Sequence, residues 1–248
     1  MVFGMHVGSL PHGHVGYRVG RFFAASVVVR IRVTGQQAHG SSPWRGVDPL
    51  PPAAEIVVGS SQIYRQVPTG RRITISFGHV QDVGRFNIIG GEVTLWGTIR
   101  AERDDDMATV QARLRRLAEQ TAAAHGCTAE VDYLQPVPAV DNTQPWIDAI
   151  LPTVERIVGA DRLVDGPPNM GYDDVSVFLN AFGGAYLTFG VQDTRLEPSG
   201  NVVAVEGGRG LAPGHTPGFY AEDGDLATAV RIHAHVVVDH LFGEATLS

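Results

Sequence analysis

Val27-Val28-Val29-Arg30-Ile31-Arg32-Val33 decides the fold. Val29, Ile31 and Val33 fall on one side of an extended chain and Arg30 and Arg32 on the other. That is the period-two pattern of a strand with one face in a core and the other in water. Downstream, after a loop from Gly35 to Pro43, residues from about 48 to 66 carry Leu50, Ala54, Val57 and Val58 at mixed helical spacing. With Pro49 in a first turn, this predicts a helix. Ile73, Ile75 and Phe77, then Val93, Leu95, Gly97 and Ile99, recur at period two on either side of a connection ending at Gly91, predicting two antiparallel strands. Asp104-Asp105-Asp106 precedes Met107, Val110, Leu114, Leu117 and Thr121 at helical spacing, with Gly126 as a stop. Acidic residues suit a helix N-terminus, and a second helix is predicted. Ala129, Val131 and Tyr133 supply a fourth strand. Strand, helix, strand, strand, helix, strand is the split βαβ, ferredoxin-like order, with two helices on one face of a four-stranded sheet.

Gln135-Pro136-Val137-Pro138 reads as a connector. Beyond it, Asn142 or Thr143 caps a helix bearing Ile147, Ile150, Leu151, Val154 and Ile157, which Pro152 is expected to kink or shorten. A short helix near Val175–Phe182, an apolar strand from Ala185 to Val191 and a polar Gly-rich loop to about Pro217 follow. A last helix from about Gly224 to Phe242 has Leu226, Val230, Val237 and Leu241 at helical spacing. The opening stretch Met1–Val7 is strand-like with no polar lead-in, as if the chain began mid-fold. A lone parallel strand needs neighbours, and this opening strand can supply one to the strand at Ala185.

The chain has 248 residues, 44% hydrophobic and 18% charged, with 30 Gly and 15 Pro dispersed. This is a globular composition, excluding collagen, coiled coil and disorder. A charge of -7, from 19 basic and 26 acidic side chains, gives no electrostatic basis for binding nucleic acid. No stretch approaches the roughly 20 apolar residues of a membrane span, and no signal peptide is seen, so a cytoplasmic protein is expected. The single cysteine, Cys127, reads as a structural thiol and fits a reducing compartment.

Several residues could carry chemistry. His6 ends an apolar strand, where α/β folds present catalytic groups, or is a satisfied rim residue. His215 stands in a polar loop ahead of the last helix. His39, in Gly35-Gln36-Gln37-Ala38-His39-Gly40-Ser41-Ser42-Pro43, either donates to developing negative charge or is a turn residue. Asn87 and Arg100 can share a surface if their strands pair, with Arg clamping a carboxylate; otherwise they are a loop cap and a surface cation. Asp173-Asp174 is a helix cap or a carboxylate pair. The pairs His12/His14 and His233/His235 read as solvated surface.

Together, Phe3-Gly4-Met5-His6-Val7, Gly35–Pro43 with Gly46-Val47-Asp48-Pro49, Asn87-Ile88-Ile89, Gly97-Thr98-Ile99-Arg100, Met170-Gly171-Tyr172-Asp173-Asp174 and His215-Thr216-Pro217-Gly218-Phe219 resemble, in order, the co-catalytic metal amidohydrolases and peptidases. That family includes aminoacylase, hippurate hydrolase, the auxin-conjugate hydrolases and glutamate carboxypeptidase. The resemblance implies an α/β fold: an incomplete mixed-sheet catalytic domain in two pieces, 1–26 and 137–248, with a ferredoxin-like lid and dimerisation domain inserted at 27–136. It implies His6 and His215 as metal ligands, His39 as the catalytic lid histidine at the reacting carbonyl, and Asn87 and Arg100 as substrate-binding residues. It also implies a divalent metal (zinc, manganese or cobalt), a homodimer through the lid, and an N-acyl amino acid or peptide-like ligand.

Asp173 departs from the usual Glu, Thr216 from the usual Ser, and the loop at about 193–209 is longer than expected. No segment matches the family's His-x-Asp or Cys-Gly-His-Asp ligands or its Glu-Glu pair, whose first member is the general base. The chain therefore resembles the C-terminal part of such an enzyme, expected to be inactive alone, with its metal held in the complete enzyme. The alternative is a noncatalytic dimerisation or small-ligand-binding module.

Overall fold

The computed structural model describes residues 1–243. Its strands are β1 (Val2–Pro11), β2 (Val15–Tyr17), β3 (Gly20–Phe23), β4 (Ala25–Thr34), β5 (Ala38–His39), β6 (Ile73–Asp82), β7 (Ile88–Ile89), β8 (Glu92–Ala101) and β9 (Thr128–Val137). They continue with β10 (Val140–Asn142), β11 (Leu163–Asp165), β12 (Gly184–Gln192), β13 (Thr194–Leu196) and β14 (Val202–Ala204). The helices are α1 (Leu50–Ser60), α2 (Asp104–Ala124), α3 (Gln144–Val158), α4 (Val175–Phe182) and α5 (Asp223–Phe242). The described chain divides into two compact units: 23–139 with 170–172, and 1–22 with 140–169 and 173–243.

In the 23–139 unit the sheet order is β6-β8-β4-β9, antiparallel throughout. With α1 between β4 and β6 and α2 between β8 and β9, this is the split βαβ topology that the alternation at Val27–Val33 predicts. Val29 lies between Gly97 and Tyr133, and Ile31 between Leu95 and Val131. On that face, Ile56 of α1 and Val110, Leu114, Ala118 and Ala122 of α2 complete a closed core. On the other face, Arg30 donates to Asp132 at 2.7 Å and Arg32 to Glu130 at 3.1 Å.

The 1–22 unit is built on a mixed sheet, β1-β12-β2-β11, in which β1 runs parallel to β12 and β2 antiparallel to it. Ala185, Leu187, Phe189 and Val191 share a core with Ile147, Ile150 and Val154 of α3 and Ile232 and Val236 of α5. Tyr186, of opposite parity, bonds Asp173 just before α4. Helices therefore cover both faces of β12, which explains its nearly unbroken apolar sequence. Between α3 and α5, Asp239 accepts bonds from Thr153 and from Arg156 at 2.6 Å. No helix among the described residues is long and apolar enough to cross a membrane.

Five local expectations are corrected. Helix α1 buries Ala53 and Ile56, whereas Ala54 and Val58 are exposed, because the apolar residues surround the helix and the tertiary contact selects the face. The supposed connector is the end of β9: Val137 pairs with Ser26 past an irregularity, and Pro136 is tolerated because β9 is an edge strand. Pro152 does not end α3, which continues to Val158, held by its buried face. The loop after β12 contains the β13–β14 hairpin. The stripe Leu226, Val230, Val237 and Leu241 on α5 faces outward, with Val230 66% and Leu241 70% exposed, while Ile232, Val236 and Asp239 face the core.

Leu114→Ala is expected to lower unfolding free energy by about 2–5 kcal/mol in urea titrations. Hydrogen bonds from Thr153 and Arg156 hold the Asp239 carboxyl below its ordinary pKa. Its contribution is thus present above the ordinary carboxylate pKa and lost as pH falls through the lower folded value. Asp239→Asn should cost about 1–3 kcal/mol at pH 7, with the gap to wild type closing in strong acid.

Candidate functional site

His39 sits on β5, which forms a two-residue ladder with β7: Ala38 faces Ile89 and His39 faces Ile88. The Gly40 amide donates to the Asn87 carbonyl at 2.9 Å, so this long-range ladder brings the segments of His39 and Asn87 together. The approach to it is folded by the Gln36–Val47 bridge. That bridge needs glycine at 35, where a Cβ would stand 2.1 Å from the Val47 carbonyl oxygen. The Ser41 amide donates to His39 Nδ1 at 3.1 Å, with the Ser41 hydroxyl at 2.8 Å. An Nδ1 that accepts an N–H carries no proton in the neutral ring, so the proton is on Nε2. His39 is exposed, and a cavity of about 150 Å³ beside it is lined by Gly40, Asp48, Leu50, Arg85, Phe86 and Ile89.

Arg100 lies on β8 opposite Ser26 and Thr74, and Asn87 directly precedes β7. Its Nη1 donates to the Met170 carbonyl at 2.9 Å, and its guanidinium lies 5.1 Å from the centre of the Tyr172 ring. These contacts fix the guanidinium plane while leaving donors for a carboxylate.

The remaining candidates belong to the other unit. His6 is exposed on β1 opposite Thr188, with Nδ1 2.6 Å from the Val7 carbonyl. Because a carbonyl only accepts, Nδ1 carries the proton and Nε2 the lone pair, the tautomer of a metal-binding imidazole. His215 is exposed and has φ 62°, a left-handed conformation uncommon outside glycine. Asp173 stands just before Asp174, the N-cap residue of α4, which makes no side-chain capping bond; the Asp173 carboxylate accepts the Val175 amide at 3.0 Å and the Tyr186 hydroxyl at 2.6 Å. Burial, then that bond, raises the Tyr186 pKa.

The sequence reading missed His12. Though partly exposed, it lies between Asp193 and Asp225, at 2.8 and 2.5 Å. Partners 181 and 213 residues away leave no local signal. His233 and His235 are exposed, as expected. Among the described residues no group of three or more His, Cys, Asp or Glu is arranged to hold a metal ion. These residues therefore do not by themselves form a metal site of three protein ligands.

Residues 19–126 match the family model of the peptidase dimerisation domain, M20_dimer. Over 98% of its length the chain is 30% identical to the uncharacterized hydrolase y4tI of Sinorhizobium fredii, spanning 57% of that protein. It is 26% identical to IAA-amino acid hydrolase ILR1-like 2 of Arabidopsis thaliana, across 99% of this chain and 54% of the relative. N-acetylcysteine deacetylase of Bacillus subtilis is 26% identical over 78% of the chain and 51% of the relative. In fold, the chain resembles the Bacillus subtilis YXEP protein, described as a dinuclear metal binding peptidase from the M20 family. The TM-score is 0.69 at 22% identity, covering 98% of this chain and 57% of that one. The chain thus spans little more than half the length of these relatives, carries over residues 19–126 a match to the peptidase dimerisation domain M20_dimer, and is similar to proteins named as hydrolases and a deacetylase.

Proposed function

We propose that this chain is a portion of a metal-dependent amidohydrolase that cleaves N-acyl amino acids or similar small amides, and that it is inactive alone. The observation that carries this reading is the match of nearly the whole chain to hydrolases. Two relatives named for IAA-amino acid and N-acetylcysteine favour the N-acyl amino acid class.

In this reading the Nε2–H of His39 donates to the amide carbonyl oxygen as negative charge gathers there. A donor positioned in advance stabilises that charge without reorganisation. Arg100, its plane set by Met170 and Tyr172, takes the substrate carboxylate through its remaining N–H groups, with Asn87 supplying amide hydrogen bonds. His6 and His215 are two metal ligands, and the other ligands and the general base are not supplied by the described residues. The dimerisation segment makes the assembly a homodimer, and a single cysteine suits a cytoplasmic setting.

A second reading, a noncatalytic dimerisation or small-ligand-binding module, is favoured by the absence of a three-donor cluster among the described residues. Both are tested by assaying the purified chain with zinc, manganese or cobalt against a panel of N-acyl amino acids. No hydrolysis and no tight uptake of two zinc ions per chain are expected; robust hydrolysis would refute the proposed dependence on further residues. If that chain, supplied with the remaining half of the relative y4tI, still hydrolyses nothing while binding N-acyl amino acids, the second reading prevails. Long-range 1H–15N spectra above pH 8 should show neutral His39 protonated on Nε2 and His6 on Nδ1; the opposite tautomers contradict the assigned roles.

A further inference from the structure

The loop that carries His215 is tied down at both ends by Gln192, the last residue of β12, and Asp193, which follows it. Buried Gln192 donates to the Ala212 carbonyl at 2.8 Å and accepts the Ala212 amide at 3.1 Å. The Asp193 amide donates to the Tyr220 hydroxyl at 2.7 Å, which donates onward to the Gly210 carbonyl at 2.8 Å. The Asp193 carbonyl accepts the Val205 amide at 3.1 Å, and its carboxylate accepts the Arg209 amide at 2.9 Å. Asp193 is therefore the hub of the segment 205–222.

What holds Asp193 is His12. Its Nε2 is 2.8 Å from the Asp193 carboxylate and its Nδ1 2.5 Å from that of Asp225, in the first turn of α5. Carboxylates at neutral pH only accept, and a neutral imidazole has a single N–H. One of the two contacts would then set lone pair against lone pair, so occupying both requires the imidazolium. The surrounding charges favour it: Asp193, Asp225, Asp223 and Glu222 are acidic, against Arg209, whose guanidinium pairs with Glu222 at 3.1 Å and lies 4.0 Å from the centre of the Tyr220 ring. Arg162 also approaches, with its Nη1 3.2 Å from where a Cβ on Gly13 would be, and His14 contacts the His12 carbonyl at 3.1 Å.

We propose that His12 is a positioning residue whose proton clasps Asp193 to Asp225 and so sets the order of the 205–222 loop that presents His215. The importance of the clasp for a metal site rests on the proposed function, whereas its hold on the loop does not. Burial opposes the charge on His12, but hydrogen bonds to Asp193 and Asp225 outweigh it and raise the pKa. The Arg209 amide, followed by His12, lowers that of Asp193. The signs follow from linkage. A raised histidine contributes fully below its ordinary pKa, and its contribution is lost as pH rises through the higher folded value. A lowered carboxyl contributes above its ordinary pKa, and that contribution is lost in stronger acid. The clasp is closed between these limits and opens on the alkaline side.

The test follows wild type by NMR and by amide hydrogen exchange, corrected for the intrinsic pH dependence. The His12 ring should titrate above 6.5, and the amides of Val205, Arg209 and Ala212 should shift with the same midpoint. Their protection should fall by about tenfold or more across that midpoint, while β4 amides stay unchanged. His12→Gln should show the low, pH-independent loop protection already at pH 6. A His12 midpoint at or below 6.5, loop amides that do not follow it, or wild-type loop protection in His12→Gln would overturn the proposal. Should His12→Gln fail to fold, the wild-type titration decides alone. Neither readout uses a metal or a substrate, so a failure of the amidohydrolase reading would be seen separately, in the zinc and hydrolysis assays.

Discussion

The parallel ladder between β1 and β12 is the constraint on which the rest depends. It joins Val2 to Gly184 and Gly8 to Gly190, segments separated by most of the chain. Closing so long a loop costs little more than closing a shorter one, because the entropy of closure grows only with the logarithm of loop length. The condition is that the intervening chain folds as its own compact unit. It meets that condition: β3 and β10 pair with each other, and the chain between them forms an independent four-stranded sheet with its own core. Because the ladder places β1 beside β12, His6 takes a defined register opposite Thr188, and the turn after β1 can set His12 against Asp193 at the end of β12.

The inserted unit was legible because each of its elements carries a local signal. Val27–Val33 and Val93–Ile99 alternate, α2 has a one-sided stripe with acid at its start, and all its strands pair antiparallel. The other unit was less legible. Strands β2 and β11 are three residues each, too short for a period to show, and are fixed by pairing with distant neighbours. In α5, the apolar stripe at helical spacing was visible, but the face that packs holds Ile232, Val236 and a buried Asp239. Periodicity finds an amphipathic face and does not tell which of two apolar faces meets this core.

The same contrast holds for the candidate site. His39, Asn87 and Arg100 each stand in a short stretch that can be quoted from the sequence, although the β5–β7 ladder and the Arg100–Met170 bond that hold them are long-range. What escaped were pairings between distant segments: the His12 clasp, the Gln192 and Asp193 anchors of the His215 loop, and the Tyr186 bond to Asp173. A single sequence holds no trace of a pair of carboxylates brought to one imidazole from two distant segments. The fold alone brings Asp193 and Asp225 to His12.

The central proposal is that His6 and His215 are metal ligands, even though the described residues hold no group of three such donors. Titration with substoichiometric Mn2+, followed by paramagnetic broadening of the histidine ring signals, tests it most directly because broadening detects weak binding. The account predicts that His6 and His215 broaden together and before the remaining imidazoles. Broadening of one without the other, or of the surface pair His233 and His235 first, would contradict it.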